Sequence, residues 1–185
     1  MRKIAMTILT FLFLAGCAGM QSLPPAQLTV QKVVEAPGMS KDEIFRKSQI
    51  WFTKTLRVSK AVTSYERKYR APLEYVNKAE GLLIGSGDIF YPSTEYILSE
   101  GYKTYWEVTF TVQEEIKDGK ARLTFTNLTI FVPKIWCQNI YGGWLGAYEK
   151  PLTEVEDMGK VRPALLGLAD QLGEFLRAPE SEGNW

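Results

Sequence analysis

The stretch from Tyr105 to Val132 most strongly limits what this chain can fold into, because apolar and polar residues alternate along it with a period of two. Such alternation predicts strands with one buried face and one solvated face. The apolar positions of the first half are Trp106, Val108, Phe110 and Val112. Asp118-Gly119, near the middle, favours a two-residue turn, since both turn positions prefer positive φ. The pattern therefore predicts an antiparallel hairpin.

The position of this turn also predicts the register of the hairpin. It places Glu115 opposite Arg122 and Val112 opposite Phe125, so that charged and apolar contacts agree on one pairing. After Asn127 the apolar positions shift by one residue. We therefore expect a β-bulge near Asn127, which would keep both halves of the second strand facing the core.

Two segments have the spacing of amphipathic helices. The first runs from Met39 to Leu56 and begins with a capping box, in which the Ser40 hydroxyl accepts from the Glu43 amide. Its inward stripe is Ile44, Phe45, Ser48, Trp51, Phe52, Thr55 and Leu56. The second runs from Pro163, a residue favoured in a first helical turn, to Arg177. Its stripe is Leu165, Ala169, Leu172 and Leu176. Both stripes are expected to pack on a sheet.

The rest of the domain is predicted as short strands and connections. We expect a strand from Leu28, a strand over Ala61–Lys68, a polar insertion over Arg70–Ala79, a strand over Gly81–Phe90 and a loop over Pro133–Pro151. Gly85-Ser86-Gly87 lacks the third glycine and the following helix of a dinucleotide-binding motif. These glycines are better explained by a bulge or a close backbone approach within a strand.

The N-terminus has the pattern of an export signal. Arg2-Lys3 precede about ten almost wholly apolar residues, Ile4 to Phe13, a run shorter than the roughly 20 residues of a membrane span. Leu14-Ala15-Gly16-Cys17 then resembles the lipobox of bacterial lipoproteins, in which Cys17 becomes a lipidated N-terminus. The domain organisation we predict is a signal peptide at 1–16, a lipidated N-terminus and flexible tether at 17–26, one domain at 27–178, and a disordered tail at 179–185.

Charge and residue usage exclude several classes of function. Loss of Arg2 and Lys3 with the signal lowers the formal net charge from +1 to −1, whereas nucleic-acid binders carry a basic excess. The chain has no histidine, which excludes Ser-His-Asp and Cys-His hydrolases and histidine zinc sites. Cys137 is then the single remaining thiol, for which a buried structural role is favoured over pairing between chains or redox chemistry. We expect no cofactor, no metal and no nucleic-acid partner.

An aromatic loop is the strongest candidate binding site in the sequence. Trp136, Tyr141 and Trp144 lie among glycines that let the backbone bend toward a partner. The alternative is that these rings fold back and cover one end of the sheet. A carboxylate-dependent hydrolase is the remaining enzymatic option, and its candidate acids are Asp88, Glu95 and Glu107. The expected function is binding or scaffolding, with a protein or glycan partner; a purely structural envelope protein is the alternative.

Four motifs together resemble a bacterial domain-of-unknown-function family whose fold is likened to that of the TATA-binding protein. They are Ser40-Lys41-Asp42-Glu43, Trp51-Phe52, Gly85-Ser86-Gly87 and Arg122-Leu123-Thr124-Phe125-Thr126-Asn127. The element order and the resemblance imply an α+β domain, β-α-β-β-β-β-α, with about five antiparallel strands and two helices on one sheet face. Family members are often exported or lipidated. By the same resemblance, Ala18 after the lipidated cysteine favours the outer membrane, with the domain facing the periplasm.

Overall fold

The computed structural model describes residues 22–56, 72–98, 102–132, 135–137, 143–145 and 148–179. Within these ranges, eight strands and two α-helices follow a short 3-10 turn at Pro25–Leu28. The elements are β1 (Val30–Glu35), α1 (Lys41–Thr55), β2 (Leu73–Asn77), β3 (Leu82–Leu98), β4 (Tyr102–Lys117), β5 (Lys120–Val132), β6 (Ile135–Cys137), β7 (Gly143–Leu145), β8 (Tyr148–Pro151) and α2 (Val155–Arg177).

The main sheet is antiparallel and has the order β1-β5-β4-β3-β2. β1 pairs with the first half of β5, and β8 pairs with the second half of the same edge of β5. β6 and β7 form a separate two-stranded ribbon. Both helices pack on the same side of the main sheet: Ser48 of α1 hydrogen-bonds to a β4 side chain, and Gly173 of α2 lies against Val34 of β1. This confirms the predicted α+β class and the placement of the helices.

The hairpin of β4 and β5 has the predicted register. Glu115 pairs with Arg122 and Val112 with Phe125. Of the two turn positions expected to have positive φ, Gly119 has it and Asp118 does not. The register shifts between Thr109 and Thr111 of β4, opposite the position of Asn127, whose φ is 53°. The expected bulge is therefore present, and it keeps Phe125 and Leu128 both buried although they are three residues apart.

The first helix begins where its capping box predicted. The Ser40 hydroxyl accepts a hydrogen bond of 3.3 Å from the Glu43 amide, and the Asp118 carboxylate of the hairpin turn accepts one of 2.7 Å from the Lys41 amide. Two of the four orphan amides of this helix end are therefore satisfied. Further along α1, the buried Lys47 ammonium donates to the carbonyls of Leu176 and Ala178 and caps α2.

Several predicted elements need correction. The first strand begins at Val30 and not at Leu28, which lies in the 3-10 turn. The second strand of the sheet, β2, lies within the predicted polar insertion at 70–79; the strand predicted at 61–68 falls outside the described residues. The predicted loop at 133–151 contains β6, β7 and β8. The last helix begins at Val155 rather than at Pro163, which lies inside it. In the described residues, no helix is both long and apolar enough to cross a membrane.

The glycines of β3 fit the predicted close approach. A Cβ added at Gly85 would overlap the Pro72 carbonyl oxygen and lie 3.0 Å from the Phe52 ring. A Cβ at Gly87 would lie 2.9 Å from the Phe110 ring. These positions let the aromatic side chains of the core sit directly on the strand backbone.

The segment before β1 is docked on the domain from Ser22 onward. Ser22 forms an antiparallel bridge with Glu154, and the Leu23 amide donates to the Thr153 carbonyl at 2.8 Å. Leu23 and Leu28 pack against the core, and the Arg162 guanidinium donates to the Gln27 carbonyl at 3.2 Å. The second half of the predicted tether is thus held on the domain, which leaves residues 18–21 between Cys17 and the docked segment.

Candidate functional site: the open face of the sheet

The candidate site is the face of the main sheet opposite the two helices, which we call the open face. The pairing of the strands brings side chains from several strands into rows across it, because directly paired residues share a face. One row is Gln31, Thr124, Gln113, Ile84 and Tyr75, from β1, β5, β4, β3 and β2. The next rows are Thr126, Thr111 and Ser86, and then Thr129, Thr109 and Asp88. These residues are half-buried or exposed, except for Ser86, which is buried.

The centre of the open face is polar and uncharged. Thr111 pairs with Thr126 and Gln113 with Thr124 at its middle. The side-chain amide of Asn127 donates a hydrogen bond of 3.3 Å to the Thr111 hydroxyl. The bulge at Asn127 makes this arrangement possible. Hydroxyl groups and amides supply both hydrogen-bond donors and acceptors. This centre can therefore hydrogen-bond to polar, uncharged groups of a partner.

Apolar side chains are exposed around that polar centre. The exposed fractions are 47% for Tyr75 on β2, 61% for Phe90 on β3 and 48% for Val33 on β1. The two aromatic residues and Val33 lie on the same face as the threonine rows, by strand register. Exposed aromatic groups provide contact area at a small entropic cost, and they are enriched at binding interfaces.

The described charges of the open face are mostly acidic. Asp88 lies in the threonine rows, Glu107 pairs with Phe90, and Glu115 forms a 2.5 Å ion pair with Arg122. Lys117 and Lys120 pair at the hairpin end of the same face. The described residues of this face therefore carry no basic excess of the kind that binds phosphate groups. Of the carboxylates raised as catalytic candidates, Asp88 and Glu107 lie on neighbouring strands of the open face; Glu95 is further along β3, opposite Tyr105.

A second polar feature lies beneath the sheet and was missed in the sequence. Glu114 is on the core side of β4, is 0% exposed, and accepts a 2.7 Å hydrogen bond from Ser48 of α1. Its second oxygen, Oε2, has no hydrogen-bond partner among the described residues. Burial raises the pKa of Glu114 to about 8, partly offset by the Ser48 hydrogen bond, so the carboxyl group is neutral at pH 7. A group closed off in this way cannot meet a substrate.

A third polar cluster joins β3, β8 and the start of α2. The Tyr91 hydroxyl donates to the buried Asp157 carboxylate at 2.5 Å, and the Lys150 ammonium lies 3.3 Å from the same carboxylate. Burial, and then the hydrogen bond to Asp157, raise the pKa of Tyr91 above its usual range. The members of this cluster are paired with one another, and Lys150 also lies 3.5 Å from Glu154, the residue that bridges to Ser22. No cluster of metal-ligating side chains occurs within the described ranges.

The structure places only part of the candidate site predicted from the sequence. Trp136 and Trp144 are directly opposite each other in the β6–β7 ribbon, whereas Tyr141 and the lipidation candidate Cys17 lie outside the described residues. The open face was not predicted as a site, because its rows depend on the register of five strands. The alternation of Glu107, Thr109, Thr111 and Gln113 was the signal that could have revealed it.

Comparison with known proteins identifies the fold. Two solved structures are similar over most of their length, namely a DUF4468 family protein from Bacteroides ovatus ATCC 8483 and a TBP-like protein from Parabacteroides distasonis ATCC 8503. The first has a TM-score of 0.51 and 15% identity, covering 90% of this chain and 95% of that one. The second has a TM-score of 0.50 and 11% identity, covering 82% and 94%. At these identities the likeness concerns the fold alone.

No curated protein matches the chain significantly. A family model does match residues 31–131, more than half of the chain, and it spans β1 to β5 together with α1. The matched region contains the open face and the buried Glu114, and it ends before the β6–β7 ribbon. The chain therefore belongs to DUF4468, the domain of unknown function with a TBP-like fold.

Proposed function

We propose that this protein is an envelope lipoprotein, anchored by acylated Cys17, whose domain binds or scaffolds a protein or glycan partner through the open face. The observation that carries the proposal is the packing of both helices on one side of the sheet, which leaves half-buried threonines and the exposed Tyr75 on the other side. Hydroxyl and amide groups flanked by an exposed aromatic ring suit an uncharged polar partner.

The proposed location follows from the N-terminal sequence. A basic head, a short apolar run and Leu14-Ala15-Gly16-Cys17 support export, cleavage and acylation, and we place the protein on the outer membrane with its domain in the periplasm. Each buried acyl CH₂ contributes about 0.8 kcal/mol, so several chains give stable attachment. Intact mass measurement of the purified chain tests this step: we expect residues 1–16 to be absent and acyl groups to be present, and a Cys17→Ala variant to lack the acyl groups.

The binding surface can be tested by photo-crosslinking in intact cells. A photoreactive side chain at Gln113, in the centre of the open face, is expected to give a discrete crosslinked species. The matched control is Gln171, an exposed residue on α2, on the opposite side of the sheet. A Thr124→Arg substitution should abolish the crosslink at Gln113, because it adds a long charged side chain to the same row. Equal crosslinking from both positions would contradict a binding role for the open face.

The buried Glu114 gives the enzymatic alternative no support. The raised pKa of Glu114 would suit a general acid, but this carboxyl group is closed off beneath α1. We therefore propose a non-catalytic binding module that uses no cofactor and no nucleic-acid partner.

A further inference from the structure

We propose that the β6–β7 ribbon lies in the headgroup region of the bilayer to which Cys17 is attached, so that the β8 edge of the domain faces the membrane. The inference rests on the lipid anchor proposed above. It assigns the ribbon a partner, the phospholipid surface, instead of the protein or glycan expected from the sequence.

The first step is the short link between the anchor and the domain. Ser22 bridges to Glu154 and Leu23 bonds to Thr153, so the chain is fixed to the fold from Ser22 onward. An extended residue spans at most about 3.5 Å, and Cys17 is five residues from Ser22, so the acyl chains lie within about 18 Å of this docking point. The edge formed by Ser22 and Glu154 must therefore stay near the bilayer surface.

The second step is that the ribbon begins and ends beside the same edge, because it lies between Val132 and Tyr148, which are paired in β5 and β8. β8 pairs with the outer side of β5 and leads directly into Thr153 and Glu154. β7 ends at Leu145, nine residues before Glu154, so the two are at most about 30 Å apart. β2 forms the opposite edge of the sheet. A domain held at Ser22 with its β8 edge along the membrane places the base of the ribbon near the surface and keeps β2 away from it.

The third step is the composition of the ribbon. From 133 to 148 the sequence has no acidic residue and a single basic one, Lys134, which suits a bilayer that carries anionic lipids. Trp136 and Trp144 occupy directly opposed positions, and Ile135 pairs with Leu145. Tryptophan and tyrosine are the residues enriched at the membrane–water interface. The ribbon therefore has the composition of an interfacial segment, and its base lies on the edge that the link holds near the bilayer.

The test uses the full acylated chain, reconstituted in vesicles of phosphatidylethanolamine and phosphatidylglycerol with or without brominated acyl chains, which quench nearby tryptophan. In the wild type we expect a loss of up to about two-fifths of the emission, because two of the five tryptophans are on the ribbon. A double variant, Trp136→Phe with Trp144→Phe, should show no such loss. Adding Tyr75→Trp to that variant places a reporter on β2, the opposite edge, and its emission should not be quenched.

The results distinguish the proposed ribbon orientation from the proposed lipid anchor. Quenching that disappears only with the ribbon tryptophans supports the orientation. An acylated chain that floats with the vesicles, but whose quenching is the same with and without Trp136 and Trp144, overturns the ribbon inference and leaves the anchor intact. A chain without acyl groups that stays in the soluble fraction overturns both. Thermal unfolding of every variant, expected within a few degrees of the wild type, shows that the fold is retained.

Discussion

Glu114 is a titratable group buried in the core, and its effect on the free energy of unfolding depends on pH. Its pKa is raised by burial from 4.5 to about 8. Below pH 4.5 the carboxyl group is protonated in both folded and unfolded chains. Between the two values the unfolded chain releases the proton and the folded chain keeps it, so the free energy of unfolding falls by up to about 1.4 kcal/mol per pH unit. Above pH 8 this loss is complete and no longer changes.

Glu114→Gln should remove this dependence. The amide has the shape of the protonated acid and can still accept from Ser48, so we expect little change in stability at pH 4.5 and a gain of several kcal/mol at pH 8. Denaturant unfolding at both pH values measures the effect. The matched control is Glu115→Gln, on the solvent side of the same strand, which removes only a surface ion pair worth about 1 kcal/mol or less. Parallel pH profiles for wild type and Glu114→Gln would contradict a neutral carboxyl group.

Gly85 is a second residue whose role is set by contact distances. Gly85→Ala would force its methyl group into the Pro72 carbonyl and against the Phe52 ring, so we expect a loss of about 1–3 kcal/mol in unfolding free energy. Gly167→Ala in α2 is the control, because a Cβ there meets nothing within 4 Å and should stabilise the helix by about 0.5–1 kcal/mol. Chemical denaturation of both variants tests the contrast, and equal effects would refute the close approach.

At the scale of elements, sequence periodicity predicts the strands that have one buried face, but it does not reveal strands that are exposed or very short. β4 and β5 were predicted with their register, because one face of each packs in the core and fixes the alternation. β2 was missed because this edge strand has no buried residue, so its sequence shows no alternation. β6 and β7 have three residues each, too few for a period to appear. The strand before β2 remains a prediction, outside the described residues.

The candidate site was harder to predict from the sequence than the fold. Glu114 follows Val108, Phe110 and Val112 at the same two-residue spacing, so the alternation predicts a buried position for it. A glutamate, however, is a residue type that is usually exposed. Ser48, by contrast, was part of the predicted inward stripe of α1, and it is the hydrogen-bond donor to Glu114. The open face required pairings between strands far apart in sequence, which no local pattern provides.

Pro163 explains why the start of α2 was misplaced and leads to a prediction for this helix. Proline is favoured in a first helical turn, but here it is the ninth residue of α2 and cannot donate to the Gly159 carbonyl. Pro163 is exposed, so replacing it costs no core packing. We expect Pro163→Ala to raise the free energy of unfolding by about 1–3 kcal/mol, measured by denaturant unfolding. A loss of stability would show that the rigid ring favours the folded chain more than the missing hydrogen bond disfavours it.

At the scale of the whole molecule, three surfaces point in different directions. The β8 edge lies within reach of the proposed lipid anchor, the open face carries the polar rows for a partner, and the helices cover the remaining side. A domain tethered at Ser22 with its β8 edge on the bilayer holds the plane of the sheet upright from the membrane. The open face would then be exposed sideways, where the proposed partner could reach it without displacing lipid.

The proposed orientation of the domain on the bilayer depends on the length of the link between Cys17 and Ser22. Inserting eight Gly and Ser residues between Met20 and Gln21 leaves the lipobox and the docked Ser22 unchanged, so we expect acylation and thermal stability to match the wild type. The effective concentration of the ribbon at the bilayer should fall about fourfold, since it decreases with roughly the −3/2 power of link length. Quenching of Trp136 and Trp144 by brominated lipid should fall with it, whereas the same insertion after Pro179 should have no effect. Undiminished quenching with the longer link would mean that the ribbon binds lipid without help from the anchor, and that the short link does not determine how the domain stands on the membrane.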